Sequence, residues 1–461
     1  MSISESVLAV VQFLFFAYLI INASFLLLSV VVGGVHLHSK YQQGGQEEQE
    51  ENEPSVSILV PAYNEEVTIV SSINSLLQLD YKNYEIIVLD DGSKDNTAQL
   101  VRDTFLLEDS DRTIEYIIPC KPYHRVSQRV VDGIQVTLIE KENGGKGDVL
   151  NLGINAAQYD YFLCLDADSL LQSDSLKNIV RPVQKDASVI SVGGQVQVSQ
   201  GVEITNGVVS HYQLPWQLVL CSQAIEYDCS FLGSRIFLDY LDSNLIISGA
   251  FGLFHKKYVQ AVGGYDTKTL GEDMELVMKL HYYCCNNNIP YRICYETSAI
   301  CWSQAPSTLT DLRKQRRRWF LGLYQCLRKY WRMLTGVRFG LVGALSYVYY
   351  LFFELLAPFV ESIGLLIVII SVFFQHAQLT FFSSFFLLYV AYCSLVTVTS
   401  FLQRAYFQKL FITPVDLCKV AYATFFRYLF LHWILHFVRI TSFIGYRKKK
   451  HEWGGIVRTK H

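Results

Sequence analysis

Charged side chains are scarce in this sequence. Asp, Glu, Lys and Arg make up only 18% of its 461 residues, whereas aromatic residues make up 14%. This balance is unusual for a fully solvated protein and indicates that part of the surface lies in lipid. The chain also lacks an excess of basic residues, because its formal net charge is -3. The composition therefore gives no general reason to expect nucleic acid as a partner.

Cysteine and histidine patterns typical of zinc sites are also scarce. The eleven cysteines are spread from Cys120 to Cys418 without a C-x-x-C pair. An odd number of cysteines without a disulfide framework predicts reduced thiols that face the cytosol. We interpret the histidines as dispersed, without an H-x3-H or H-E-x-x-H cluster, and so expect surface, core or interfacial histidines and no zinc site.

A long uncharged segment opens the chain. Val7 to Val35 contains no charged residue, and it is long enough to cross a hydrocarbon core of about 30 Å at roughly 1.5 Å per residue. We predict an N-terminal transmembrane helix over residues 1–36, which is retained because the N-terminus lacks the basic region of a secretory signal. Residues 37–53 contain few apolar side chains and are predicted to form an acidic linker.

Strand and helix patterns alternate after this linker. Val56–Val60 and Glu85–Leu89 are short apolar runs typical of buried strands, and Thr68–Leu79 and Asp95–Arg102 have helical spacing. The alternation predicts an α/β domain over residues 54–330, with a parallel sheet covered on both faces. Further strands are predicted at Tyr161–Leu165, Val189–Val198 and Leu245–Ile247, and further helices at Asp148–Ala157 and Pro215–Leu241.

One segment of this domain has no regular pattern. Within Phe105 to Gly133, the portion PCKPYHRVSQRVVDG mixes Pro, Gly and basic residues between the strand-like sequences IEYII and IQVTLIE. We interpret it as a long surface loop, and we assign no role to residues 119–133 within it.

Apolar composition returns beyond Arg338. Phe359–Phe374 and Leu379–Leu402 are predicted to form a pair of transmembrane helices. Glu354 and Pro358 interrupt the preceding apolar run, so Gly340–Ala357 is predicted to lie at the interface or to line a cavity. Residues 413–444 carry three basic residues within apolar sequence, which fits either an interfacial hairpin or a further pair of spans. Residues 331–445 are thus a predicted membrane region, and residues 446–461 a basic tail.

Charge predicts the orientation in the membrane. The connection at residues 375–378 has no Lys or Arg, whereas basic residues collect on the opposite side, at Arg328, Lys329, Arg332, Arg404, Lys409 and Arg447–Lys450. The positive-inside rule then predicts an integral protein of the plasma or inner membrane with its α/β domain and C-terminus in the cytosol.

Carboxylates follow two predicted strands and begin one predicted helix. Asp90-Asp91 and Asp166-x-Asp168 end strands, Gly271-Glu272-Asp273 opens a helix, and a glycine-rich loop contains Lys146. Acids in a first helical turn often only complement the helix dipole. However, departure of a diphosphate from a sugar requires a cation or metal, and Asp-x-Asp supplies the hard oxygen ligands that such a metal prefers.

Seven motifs occur in a fixed order: PAYNEE (61–66), DDGS (90–93), GGKGDVLN (144–151), DAD (166–168), SGAFG (248–252), GED (271–273) and QRRRW (315–319). In this order they resemble the membrane-integrated glycosyltransferases of family 2, which include hyaluronan, chitin, cellulose and poly-N-acetylglucosamine synthases. The resemblance covers residues 54–319 in detail and the flanking membrane segments in layout. It implies a GT-A fold, which is a Rossmann-like α/β nucleotide-sugar transferase domain, joined here to an α-helical transmembrane region.

The resemblance also implies a role for each matching residue in an inverting single displacement. Asp273 would be the general base. The nucleotide-sugar would be bound by Pro61, Tyr63, Glu65, Asp91, Lys146 and Asp166, with Asp91 on the uracil. Asp168 would hold Mg2+ or Mn2+. The acceptor and the diphosphate would be bound by Ser248, Gly249, Gln315, Arg318 and Trp319.

Two residue groups have alternative interpretations. Arg313–Arg318 taken alone is typical of a juxtamembrane cluster that binds anionic lipid, although the Q-x-x-R-W spacing after GED favours catalysis. Glu272 and Glu275 are expected either on the helix surface or behind the reacting groups.

The expected activity is transfer from a UDP-sugar, preferably a UDP-hexosamine, to a growing β-linked polysaccharide, processive and coupled to export through the bilayer. The alternative enzyme is a glycolipid synthase that makes one transfer and resembles ceramide glucosyltransferases. A membrane scaffold that kept a degenerate transferase domain is disfavoured, because all the expected carboxylates are present.

Overall fold

A ten-stranded mixed sheet forms the centre of the fold in the computed structural model, which describes residues 3–43, 53–373 and 379–446. Its strands are β1 (Val56–Ala62), β2 (Tyr84–Asp90), β3 (Glu108–Asp109), β4 (Tyr123–Val131), β5 (Ile134–Lys141), β6 (Tyr161–Leu165), β7 (Ser169–Leu171), β8 (Val189–Val198), β11 (Phe251–His255) and β12 (Arg292–Ser303). A separate hairpin pairs β9 (Val202–Thr205) with β10 (Val208–Tyr212). The predicted α/β class is therefore confirmed.

The strand order is β3-β4-β5-β2-β1-β6-β11-β8-β12-β7. β1 pairs in parallel with β2 and β6, β2 with β5, and β8 with β12. β11 runs antiparallel to β6 and β8 between them, and the outer strands β4 and β7 are also antiparallel to their neighbours. The prediction of a parallel sheet is thus wrong for these strands, because the chain enters β11 at the edge of the sheet where β8 ends, and a tight turn joins β4 to β5.

Helices cover both faces of the sheet, as predicted. Ile58 and Val60 contribute to one hydrophobic core and the intervening Leu59 to the other, because successive strand residues point to opposite faces. The first core is closed by α2 (Ile69–Leu77), α3 (Thr97–Phe105) and α5 (Ser175–Lys185). The second core is closed by α4 (Lys146–Ala156), α8 (Lys256–Ala261) and α9 (Glu272–Asn286).

The predicted surface loop at 105–133 contains the two strands β3 and β4, so that interpretation is wrong. β4 pairs antiparallel with β5 through the two-residue turn Asp132-Gly133, where φ is 50° and 85°. Asp-Gly between strands is a strong hairpin signal, because both central residues of this turn need positive φ. The strand-like Ile114–Ile118 instead forms no strand and buries Ile114 and Ile118 over α4.

Two later predictions have different outcomes. Pro215–Leu241 is helical as predicted, as α6 (Leu218–Cys229), a π-helical turn at Ser230–Ser234 and α7 (Arg235–Tyr240). Leu245–Ile247 forms no strand, which corrects that prediction. Leu245 and Ile247 are nevertheless buried, so their apolar character reflects packing rather than strand pairing.

The predicted N-terminal helix is present as α1 (Ile3–Gln43). It continues beyond the predicted boundary at residue 36, and residues 44–52 of the predicted linker lie outside the described residues. In the chain as described, the segments Val10–Ser39 and Phe382–Phe407 are long and apolar enough to cross a membrane. Gln12 donates to Ser371 at 2.7 Å and Tyr392 donates to the Ala23 carbonyl at 2.7 Å, so α1 packs against the C-terminal apolar helices.

The C-terminal region begins with α10 (Leu309–Lys329) and α11 (Arg332–Thr335). Two π-helical turns, Val342–Tyr347 and Tyr350–Leu355, lead into α12 (Ala357–Phe373). The helical segment Val342–Leu355 and α12 form a bent pair, whose axes differ by 50° at a break beside Pro358. Proline lacks the N–H that would continue the helix, so the predicted division is confirmed. Together the bent pair makes a third candidate span.

The last described segments are helical, with a break at residues 408–413. α13 (Leu379–Phe407) is followed by α14 (Pro414–Phe426), a π-helical turn at Arg427–Leu431 and α15 (His432–Thr441). Residues 414–441 are helical throughout, so they form neither the hairpin nor the pair of spans that were the predicted alternatives for residues 413–444. The predicted connection at 375–378 and the tail from residue 447 lie outside the described residues.

The cysteines have no disulfide partners and their cytosolic side stays a prediction, whereas the histidine prediction needs a correction. All eleven cysteines are free, and His281 is a core histidine bonded to Tyr291 and to the Asn244 carbonyl. His432 and His436 are not dispersed, since they have H-x3-H spacing on α15 and both approach Glu361.

Candidate functional site

The predicted site residues collect at one edge of the sheet. The parallel strands β1, β2, β5 and β6 all end there, because parallel strands present their carboxyl ends to the same edge. β11 is antiparallel to β6, with Phe251 opposite Leu165, so the residues that precede β11 reach the same edge. The topology therefore brings together motifs that are far apart in the chain.

The loop after β1 carries the predicted nucleoside contacts. Tyr63 is 43% exposed, and Pro61 is partly buried. Glu65 accepts a hydrogen bond from the Thr68 hydroxyl at 2.8 Å, and its backbone N–H donates to Thr97 at 2.8 Å. These bonds fix the loop and leave the Tyr63 ring open to a ligand.

Asp91 anchors the glycine-rich loop through hydrogen bonds. Its Oδ1 accepts from the Gly144 N–H at 2.9 Å, and its Oδ2 accepts from the Gly145 N–H at 2.7 Å. The fully buried ammonium of Lys141 lies 3.1 Å from Asp91 Oδ1 and 2.7 Å from Asp148 Oδ2. Sequence reasoning did not select Lys141, since a lysine that ends a strand carries no pattern of its own.

Asp90 differs from Asp91 in its contacts. Asp90 Oδ2 accepts the Ser93 N–H at 3.2 Å, while its buried Oδ1 has no hydrogen-bond partner within the described chain. Burial raises the pKa of Asp90, against the lowering effect of Ser93. A buried acceptor without a partner is costly unless a ligand satisfies it. The contact of Asp91 with uracil stays a prediction, and these contacts favour Asp90 for it.

Lys146 connects the donor and acceptor motifs. Its ammonium forms an ion pair with Asp166 and donates to the Gly249 carbonyl at 3.2 Å. The Gly249 N–H in turn donates to Asp273 Oδ2 at 3.2 Å. A methyl group on Gly249 would lie 3.3 Å from Asp273 Cβ and 3.4 Å from Lys146 Nζ, so glycine permits this approach.

The charges around Lys146 support its protonated form. Burial lowers the pKa of Lys146, but the carboxylates of Asp166 and Glu272 raise it above its ordinary value. Burial and the adjacent Asp273 carboxylate raise the pKa of Glu272 to about 7, although Lys146 and Arg318 oppose this rise. Glu272 is buried, so it lies behind the site and not on the helix surface.

Asp168 supplies oxygen at the end of β6. It is buried, and the hydroxyls of Ser303 and Ser169 donate to its Oδ1 at 3.3 and 3.4 Å. Asp166, two residues earlier, is more exposed and faces Lys146. Two carboxylates at one strand end make a hard oxygen donor set, which fits Mg2+ or Mn2+.

α10 carries Gln315, Arg318 and Trp319, and it brings Arg318 to the site. Arg318 lies near enough to Lys146 and Glu272 to influence the pKa of both. Trp319 is 40% exposed, as a ring that stacks on sugar must be. Gln315 Oε1 is buried without a hydrogen-bond partner in the part of the chain that the structure describes. Ser248 precedes Gly249 and is partly buried.

Arg316 supports Trp319 and was missed by the sequence prediction. Its guanidinium binds both carboxylate oxygens of Glu226, at 2.6 and 3.1 Å, and lies 4.5 Å from the centre of a Trp319 ring. Burial would raise the pKa of Glu226, but Arg316, Arg427 and Arg439 hold it below its ordinary value. The first arginine of QRRRW, Arg316, thus fixes the indole.

The basic residues of α10 face different directions. Lys314 pairs with Asp311 at 3.0 Å, and Arg317 donates to the carbonyls of Ser442 and Ile444 at 3.1 and 2.9 Å. This arrangement disfavours the alternative that Arg313–Arg318 forms one lipid-binding cluster.

Glu275 is fully buried, which excludes a surface position. It bonds Lys329 at 2.6 Å and the Tyr330 hydroxyl at 2.7 Å, and it also pairs with Lys279 at 3.2 Å. Glu275 therefore ties α9, which carries Asp273, to the end of α10.

A large cavity lies elsewhere in the chain. It measures about 2060 Å³ and is lined by residues such as His36, Arg181 and Gln408, and by none of the predicted site residues. Cavity volume alone therefore does not locate the candidate active site. The charged groups at the sheet edge locate it instead.

Comparison with known proteins agrees with this geometry. Residues 57–261 match glycosyl transferase family 2, and residues 161–440 match glycosyl transferase family group 2. Poly-beta-1,6-N-acetyl-D-glucosamine synthase of Staphylococcus aureus strain COL is 32% identical over 291 residues, which cover 62% of this chain and 59% of the relative. The synthase of Staphylococcus epidermidis is 29% identical over 367 residues, which cover 77% and 76%. The chain thus spans 59% of the length of the first of these relatives.

Among solved structures, a mannosyltransferase from Pyrobaculum calidifontis in complex with GDP-Man and Mn2+ aligns with 92% of this chain and 99% of its own, at 16% identity and a TM-score of 0.49. The second family match covers more than half of the 461 residues. This match, the mixed α/β sheet and the ordered motifs at one sheet edge lead to one assignment. The chain belongs to glycosyl transferase family group 2.

Proposed function

We propose that this protein is a membrane-bound inverting glycosyltransferase that adds N-acetylglucosamine from a UDP-sugar to a growing β-linked polysaccharide. One observation carries the proposal. The Lys146 ammonium joins Asp166 to the Gly249 carbonyl, and Gly249 binds Asp273 through its N–H. Gly249 thus bridges the Lys146 ammonium, which would face the donor, and Asp273, the candidate base. The two groups lie close together, as a single displacement requires. The hexosamine is supported by the names of the staphylococcal relatives.

In this proposal Asp273 takes the proton of the acceptor hydroxyl. The hydroxyl oxygen forms a bond to the anomeric carbon from the side opposite the diphosphate. The bond from that carbon to the diphosphate oxygen breaks, and UDP leaves with the electron pair. Lys146 and Arg318 offset the charge that develops on the leaving group.

The remaining residues bind and orient. Tyr63 and Asp90 or Asp91 contact the nucleoside, with Pro61 and Glu65 shaping the loop, and Trp319 and Gln315 receive the acceptor beside Ser248. Asp168, with Asp166, holds Mg2+ or Mn2+, which neutralises diphosphate charge when bound.

The proposed setting is the membrane, with the α/β domain in the cytosol. The basic residues around α10 and the two or three apolar helices support this orientation. Processive extension and export of the polymer through the helices belong to the same proposal.

The test is the size of the product. Protein purified in detergent is incubated with labelled UDP-N-acetylglucosamine, or with UDP-glucose as the matched donor, and the product is separated by length. A β-linked polymer made from the first donor supports the proposal. One sugar added to a lipid supports the glycolipid synthase instead, and no transfer from either donor contradicts both.

A further inference from the structure

Three potential metal ligands converge where α12 packs against α15. Glu361 Oε2 lies 2.9 Å from His432 Nε2 and 3.3 Å from His436 Nδ1. One ligand atom from each residue lies within 4.8 Å of the other two. Tetrahedral ligands about 2.1 Å from a zinc ion are roughly 3.4 Å apart. Small side-chain movements would therefore convert these contacts into a coordination shell.

The helices already orient the three side chains. His432 and His436 are four residues apart on α15, so they share a face of the helix. The other ring nitrogen of His436, Nε2, lies 2.8 Å from the Ser362 hydroxyl. Such a bond to the outer nitrogen typically orients a metal-binding imidazole. α12 thus supplies both a ligand, Glu361, and the residue that orients the second histidine.

The donor set selects the class of metal. Two imidazole nitrogens and one carboxylate suit Zn2+, whereas Mg2+ prefers oxygen ligands alone. The His432 side chain is 40% exposed, which leaves room on that side for water as a fourth ligand.

We propose that Glu361, His432 and His436 form a zinc site that clamps α12 to α15. The clamp has a consequence for α10, because Arg317 donates to the carbonyls of Ser442 and Ile444 just beyond α15. Holding α15 in place therefore holds the helix that carries Gln315 and Trp319. The site is separate from the oxygen donor set at Asp168, and it does not depend on the proposed sugar or product.

The test measures metal in the full-length protein, purified in detergent without a polyhistidine tag and dialysed against metal-free buffer. Mass spectrometry of the wild type is expected to find one zinc ion per chain. The double variant His432→Ala/His436→Ala is expected to lose it, and Glu361→Gln to hold it more weakly. His124→Ala, which changes an exposed histidine on β4, and Asp168→Asn are the controls and keep the zinc.

A second measurement does not depend on the folding of variants. Wild type stripped with chelator is titrated with Co2+, which is expected to give the visible absorption bands of a nitrogen- and oxygen-ligated site and to raise the Tm. Zinc that survives in the double variant would overturn the proposal. So would a wild type that holds no zinc and develops no cobalt bands, since the contacts would then be hydrogen bonds only.

Discussion

Lys141 Nζ lies 3.1 Å from Asp91 Oδ1, and Lys141 is fully buried. A buried ammonium needs partners to offset the loss of its hydration, and it finds them in Asp91 and Asp148. Asp91 then presents its oxygens to the N–H groups of Gly144 and Gly145. Through Asp91, the buried Lys141 ammonium therefore holds the backbone of the glycine-rich loop that carries Lys146.

Replacing Lys141 tests this arrangement. Lys141→Met leaves two buried carboxylates without their cation, and we expect it to lower the free energy of unfolding by about 3 kcal/mol. The Tm, followed by intrinsic fluorescence in detergent, measures the loss. Lys94→Met, at an exposed lysine of the neighbouring loop, is the control. Equal Tm values for both variants would contradict the structural role of Lys141.

Gly249 is expected to tolerate no side chain. In Gly249→Ala the new methyl group presses on Asp273 and Lys146 at 3.3 and 3.4 Å, and displacing either group lowers the rate of transfer by about tenfold or more. Gly233→Ala, whose methyl group meets its nearest neighbour at 3.7 Å, should retain activity. Initial rates of sugar transfer make the comparison, and an unchanged rate in Gly249→Ala would show that the contact is loose.

The role of Asp273 as the base can be tested with a variant that affects sugar transfer but not nucleotide binding. Asp273→Asn cannot accept the acceptor proton, so transfer should be abolished while UDP binding, measured by calorimetry, persists. Asp103→Asn, at an exposed carboxylate on α3, is the matched control. Wild-type turnover in Asp273→Asn would refute the assignment.

Metal removal tests the role of Asp168. Chelation with EDTA should stop transfer, and added Mg2+ or Mn2+ should restore it, because the diphosphate leaves poorly without its counter-charge. Asp168→Asn should remain inactive at every metal concentration. Full activity of the wild type after chelation would remove Asp168 from this role.

Glu272 is expected to make stability depend on pH. Its pKa is raised from 4.5 to about 7, so the folded protein holds a proton there that the unfolded chain releases. The stability that this proton supplies is present at about pH 4 and is lost as the pH rises through about 7. The Tm of the wild type minus that of Glu272→Gln should therefore fall over this range. Glu115→Gln, at an exposed glutamate, should give a constant difference, and a constant difference for Glu272→Gln would contradict its raised pKa.

Much of the fold was predictable because its signals are local. Val56–Val60 and Glu85–Leu89 are apolar runs that only a covered sheet can bury, and Pro358 ends a helix wherever it stands. The Asp132-Gly133 turn was also predictable from the sequence, since its residue types specify the hairpin that joins β4 to β5. The antiparallel direction of β11 was not predictable from the sequence, because a strand's direction depends on the path of the chain before it.

By itself the sequence determined the seven ordered motifs, from which the candidate site residues are predicted, and the segments that are too apolar for water. Only the tertiary structure decided how those residues are charged and held. Lys141 acquires its role when burial removes its water, and Glu361 meets His432 across 71 residues of chain. Electrostatic coupling and metal geometry depend on distances of a few ångströms, and only the packed sheet and helices set distances between residues so far apart in the chain.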